Sequence, residues 1–109
     1  MWSPATATPE SKLPVWVYIQ GGGYQANSNA NYNGSGVVAT SGQSIVFVNF
    51  NYRVGCWGFL ASEEVRQNGD LNVGLLDQRF ALEWVQKHIS KVGVHLYPCA
   101  PSLTVAVWW

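Results

Sequence analysis

Charge is scarce in this chain. Of 109 residues only 11% are Asp, Glu, Lys or Arg, six Lys+Arg against six Asp+Glu, so the formal net charge is zero. Without a basic excess there is no electrostatic footprint for a nucleic-acid backbone or an anionic membrane surface, and neither is expected as a partner. Cysteine is sparse as well: Cys56 and Cys99 stand in unlike contexts, too few for a disulfide framework, and are read as free thiols. No apolar run is long enough to cross a bilayer. Residues 1–12 (MWSPATATPESK) lack the basic and apolar regions of a secretory signal, so no targeting signal is read in this chain. Internal repeats are missing too, and the length suits one small domain, not two.

What remains is strongly apolar: 48% hydrophobic residues, with six Trp. Disorder is excluded by that composition. So many large rings need a core or an interface to cover them, which reads as the inside of something bigger. Pro, Ser, Thr and Ala up to Lys12 read as a flexible lead-in. Val15-Trp16-Val17-Tyr18-Ile19 is β-branched and aromatic without charge, the pattern of a strand buried on both faces, over about residues 14–20. A second such run lies at about 44–50, and the long connection between them favours parallel pairing. That connection is crowded with Asn, Ser and Gly, with a short helical turn expected at 36–40. Ser62 is placed to cap a short helix to about Gln67, ended by Gly69. Over about 72–90 the residues Val73, Leu76, Phe80, Trp84, Val85, His88 and Ile89 recur at helical steps, opposite Arg79, Glu83, Gln86 and Lys87, so an amphipathic helix is expected with the first set packed and a Glu83–Lys87 pair exposed. Residues 103–109 are apolar apart from Thr104 and suit a further strand.

The sharpest local signal is the first strand ending in Gly21-Gly22-Gly23. Successive residues without Cβ let backbone N–H groups approach an oxyanion or a phosphate. Residues 21–26 fit the letters of a dinucleotide fingerprint, but no helix opens directly after them, and the next strand ends in Asn49 and Asn51 where an acidic residue is needed. A serine-esterase oxyanion loop needs no such helix. A plain glycine turn is the third reading.

Three ordered motifs extend this. Residues 13–24 (LPVWVYIQGGGY), 45–61 (IVFVNFNYRVGCWGFLA) and 69–90 (GDLNVGLLDQRFALEWVQKHIS) resemble the type B carboxylesterase/lipase family, which includes fungal esterases and lipases and the cholinesterases. The resemblance implies part of an α/β-hydrolase fold: two or three parallel strands with one main packed helix. It implies hydrolysis of a small-molecule carboxylic ester by a Ser, a His and an acid, without cofactor. Carried over, the oxyanion donors are the N–H groups of Gly22 and Gly23, with Gly21 shaping the loop and Gln20 where many members have His. Removing one such donor typically costs ~3 kcal/mol of transition-state stabilisation. The Arg of NYRVG and the Asp of GLxDQ, here Arg53 and Asp77, are implied as a buried scaffold ion pair; removing one partner of such a pair leaves a buried charge stranded.

No catalytic triad is found. A nucleophile elbow needs Gly two residues before and two after its Ser; Ser44 has Gly42 but Val46, and Ser35 has its glycines adjacent. The resemblance stops after Lys91, which divides the chain into a lead-in (1–12), a partial esterase domain (13–91) and a non-matching tail (92–109), read as a replaced continuation. His88 is expected as an ordinary packing residue. His95 and Cys99 fall short of the four ligands of a structural zinc site, so no metal is expected. Cys56 is expected to be at least partly buried volume. The reading is an esterase fragment that is inactive alone. The alternatives are a non-catalytic adhesion module, since some members have lost catalysis, and, more remotely, a nucleotide-binding fragment. No specific protein partner is inferred. Family members are often secreted, and localisation stays open.

Overall fold

A computed structural model describes residues 1–26, 32–92 and 103–107. Three strands form one parallel sheet: β1 (Val15–Ile19), β2 (Val46–Phe50) and β3 (Leu103–Val107), in the order β2-β1-β3. Val15 faces Val46 on one side and Leu103 on the other, and the register runs without a bulge to Ile19 opposite Phe50 and Val107. β1 is therefore interior, and its carboxyl end, where the glycines begin, lies between two neighbours running the same way. Trp108, Trp109, His95 and Cys99 lie outside the described residues.

The helices follow from local chemistry. α1 (Ser35–Thr40) lies in the β1–β2 connection, as the helical turn expected there. α3 (Glu63–Asn68) is capped by the Ser62 hydroxyl, which accepts the Val65 N–H at 3.2 Å, with Glu63 and Glu64 in the first turn where the helix dipole favours them. α4 (Val73–His88) is the main helix and continues as a 3₁₀ turn, Ile89–Val92. One helix was not legible in the sequence: α2 (Gly55–Phe59). It carries two glycines in five residues, which propensity counts against.

Two cores cover the sheet. On one face Val15, Val17, Val46 and Val48 pack with Val85 and Ile89 of α4 and the adjoining turn. On the other, Val38 of α1 joins Ile45 and Phe47, with Trp2, Tyr18 and Tyr32 alongside.

Several expectations need correction. β1 is not buried on both faces: Val15, Val17 and Ile19 are buried, but Trp16 is 42% exposed. The stripe Leu76, Phe80, Trp84 does not pack either; Phe80 is 69% and Trp84 52% exposed, and the buried positions of α4 are Gly74 and Val85. Periodicity gave the helix and, in Val85 and Ile89, part of its packed side, but the expected face is too wide and its Leu76, Phe80, Trp84 edge stays exposed. Glu83 pairs with Arg79 at 2.9 Å, not with Lys87. The first twelve residues are pinned at Trp2, which exchanges backbone hydrogen bonds with Phe47 (2.8 and 2.9 Å) and so covers the outer edge of β2. Cys56 is exposed, since on α2 it projects away from both cores.

Candidate functional site

The loop after β1 turns on three consecutive residues with positive φ: Gly22 at +152°, Gly23 at +57° and Tyr24 at +61°. Gly22 is required twice over. Its φ is one that side chains avoid, and a Cβ there would lie within the van der Waals shell of the Ala26 carbonyl. At Gly23 a Cβ would meet open space, so only backbone conformation favours glycine there. The Gly22 carbonyl closes the turn by accepting the N–H groups of Gln25 (3.0 Å) and Ala26 (3.1 Å). Among the described residues no carbonyl accepts from the N–H of Gly22 or Gly23. Two adjacent donors therefore stand at the carboxyl end of an interior parallel strand, the region where open α/β sheets take their ligands. The next described helix begins only at Ser35, so no helix N-terminus stands behind the glycines as a dinucleotide site demands.

The loop after β2 forms the wall of this bend. The buried Gln20 donates from its side-chain amide to the side-chain oxygen, Oδ1, of Asn51. The buried Tyr52 hydroxyl donates to the Gln20 backbone carbonyl at 3.0 Å, and the Gly55 N–H to that of Tyr24 at 2.7 Å. Burial, and to a lesser extent the neighbouring Tyr24, push the Tyr52 phenol above its usual range, so it stays protonated as a donor. Asn51, Tyr52 and Tyr24 were not singled out from sequence as site residues. The signal was present in NYRVG, whose Tyr sits between two residues already bound to other elements.

Arg53 and Asp77 meet in a forked pair: Nη2 to Oδ1 at 2.6 Å and Nε to Oδ2 at 2.8 Å, with the Arg53 N–H also donating to Oδ2 at 3.0 Å. The expected burial is not there, because the Arg53 side chain is 55% exposed. The guanidinium hydrogen bond, with the backbone N–H adding to it, holds the Asp77 carboxyl below its ordinary range. The Arg53 carbonyl passes so close to α2 and α4 that a Cβ at Gly58 or Gly74 would strike it. His88 is half-buried, its ring 5.0 Å from that of Trp84, away from the glycine bend. Among the described residues no group of three or more His, Cys, Asp or Glu is placed to hold a metal.

The geometry is that of a glycine bend at the carboxyl end of an interior parallel strand, and comparison with known proteins decides its lineage. A sequence profile of the carboxylesterase family matches residues 1–94. The chain belongs to the carboxylesterase family. Lipase 1 of Geotrichum candidum is 45% identical over 96 residues, covering 85% of this chain and 17% of the lipase. Carboxylesterase patB of Penicillium expansum is 46% identical over 85 residues, 73% of this chain and 15% of the enzyme. The crystal structure of Aspergillus niger EstA superposes with a TM-score of 0.80 at 67% identity, over 84% of this chain and 18% of EstA. A thermophilic pNB esterase superposes at 0.68 with 34% identity. This member of the carboxylesterase family thus has the α/β-hydrolase fold in part and spans about a sixth of the length of such relatives. The match takes in the segment up to Lys12, which the motifs alone did not reach.

Proposed function

We propose that this chain is the oxyanion-loop portion of a carboxylic ester hydrolase, with Gly22 and Gly23 as donors and Gly21 as the residue that turns the strand into the loop. The supporting observation is the pair of glycine N–H groups at the carboxyl end of β1, both outside the backbone hydrogen-bond ladder of the described residues. When a nucleophile adds to an ester carbonyl, its oxygen gains negative charge as the carbon becomes tetrahedral. Fixed N–H dipoles aimed at that oxygen stabilise the transition state more than the ground state. Arg53 and Asp77 serve the scaffold and touch no substrate.

Stabilising an oxyanion is half of the reaction. The sequence has no Gly-x-Ser-x-Gly, hence no elbow to expose a hydroxyl beside these donors. The chain by itself therefore binds an anion at the bend and does not turn over ester. Two measurements test this. A short-chain nitrophenyl ester, assayed before and after a serine-directed phosphonate, is expected to give no inhibitable hydrolysis; inhibitable turnover overturns the inactivity. Titration of glycine-labelled chain with methylphosphonate, a tetrahedral anion, is expected to move the Gly22 and Gly23 amide resonances saturably. Amides that stay put overturn the donor assignment.

A further inference from the structure

The glycine bend is gripped at both ends by one loop. The Gln20 carbonyl, immediately before Gly21, accepts from the buried Tyr52 hydroxyl at 3.0 Å, and the Tyr24 carbonyl, immediately after Gly23, accepts from the Gly55 N–H at 2.7 Å. A peptide unit is planar, so fixing a carbonyl fixes the N–H on the same plane. Pinning the Gln20 and Tyr24 carbonyls immobilises the first and last planes of the bend. Of the planes between them, the one carrying the Gly23 N–H is also held through the Gly22 carbonyl, which accepts from Gln25 and Ala26, so those carrying the N–H groups of Gly22 and Tyr24 depend most on the two pins. Glycines alone would leave those planes free to rotate; with both ends held, the directions of the two donors are set.

Further contacts point the same way. Tyr24 holds a left-handed φ of +61°, unusual for an aromatic residue, and its ring lies edge-on to Tyr52 at 6.4 Å and tilted against Phe59 of α2 at 5.1 Å. Next to Tyr52 in sequence, Arg53 is tied to Asp77 of α4 through both its backbone and its side chain. The pin is thus itself anchored to the main helix.

We infer that the loop 51–55 is the positioning device of the bend, and that Tyr52 is a positioning residue which acts on the Gly22 and Gly23 N–H groups through the Gln20 carbonyl. Its chemical meaning rests on the oxyanion reading above. Tyr52→Phe keeps the ring and removes only the donor. In glycine-labelled full chain this variant is expected to shift the Gly22 and Gly23 amides, to speed their hydrogen exchange at least tenfold, and to weaken the methylphosphonate response at least fivefold. The Gly34 and Gly42 amides, which sit around α1, are expected to stay unchanged, which a general loss of stability would not allow. Gly22 and Gly23 amides identical in the folded variant overturn the inference. If the variant does not fold, exchange in the unsubstituted chain decides: a Gly55 amide protected at least tenfold over that of Gly23 supports the grip, and an unprotected one overturns it. An anion response that Tyr52→Phe leaves intact sinks the positioning role alone. A variant that loosens the bend in a chain showing no anion response keeps the grip and sinks the oxyanion reading.

Discussion

At the scale of single residues, the two donor glycines are not equivalent. Gly23→Ala meets only the cost of a left-handed backbone, about 1–2 kcal/mol. Gly22→Ala must also displace the Ala26 carbonyl that lies against it, so it is expected to lower the urea midpoint further than Gly23→Ala. Equal shifts would show that the turn relaxes freely. For Asp77 the sign is set by its partner. Its carboxyl is held below the usual value in the folded chain, so the stabilisation is complete above about pH 4 and is lost as pH falls through the depressed value. Glu63, held down by Arg66 and Gln67, acts in the same sense. Asp77→Asn is therefore expected to flatten the dependence of the urea midpoint on pH below 4 without abolishing it, and an unchanged slope would deny the pair any role in stability. Sequence motifs were enough to name Arg53 and Asp77 as partners. They did not give the half-exposed guanidinium, because burial depends on which other elements pack over the pair, and a motif does not encode that.

At the scale of elements, the strands were legible because runs such as Val46-Phe47-Val48 have one physical use, and the Ser62 cap because its geometry is local. α2 was not, since its two glycines have reasons that local propensity does not encode: Gly58 abuts the Arg53 carbonyl, and Gly55 holds a left-handed φ of +57°. The packed side of α4 and the turn after it was read correctly at Val85 and Ile89 but too widely at Leu76, Phe80 and Trp84, for a related cause. Hydrophobic periodicity marks faces that are apolar and is silent on which one meets the sheet. Two substitutions separate the faces. Ile89, 2% exposed among Val15, Val17 and Val85, is expected to cost about 2–5 kcal/mol as Ile89→Ala. Phe80, 69% exposed, is expected to change stability by less than about 0.5 kcal/mol as Phe80→Ala. Urea unfolding of the two variants checks the assignment, and a costly Phe80→Ala would return the helix to the orientation its sequence first suggests.

At the scale of the whole molecule, the same stripe is part of a broad exposed apolar surface. Trp57 (79% exposed) on α2, Leu60 just after it, and Leu76, Phe80 and Trp84 on α4 all show large apolar area. The Gln78 side-chain nitrogen is buried with no partner among the described residues, a group that normally costs stability unless something completes it. Both features match a chain that spans 17% of the lipase it resembles. Open sheet edges invite strand addition; among the described residues Trp2 shields the β2 edge and no strand pairs with the outer edge of β3. With a formal net charge of zero there is no long-range repulsion to keep copies apart. The isolated chain is therefore expected to self-associate with rising concentration, as read by sedimentation. The driving area lies in the α4 stripe, so Phe80→Lys combined with Trp84→Lys is expected to suppress association while leaving the urea midpoint nearly unchanged, since neither side chain contributes to the sheet core. Association that survives the double substitution undiminished would move its origin from the helix to the sheet edges, where strand addition needs no apolar side chain at all.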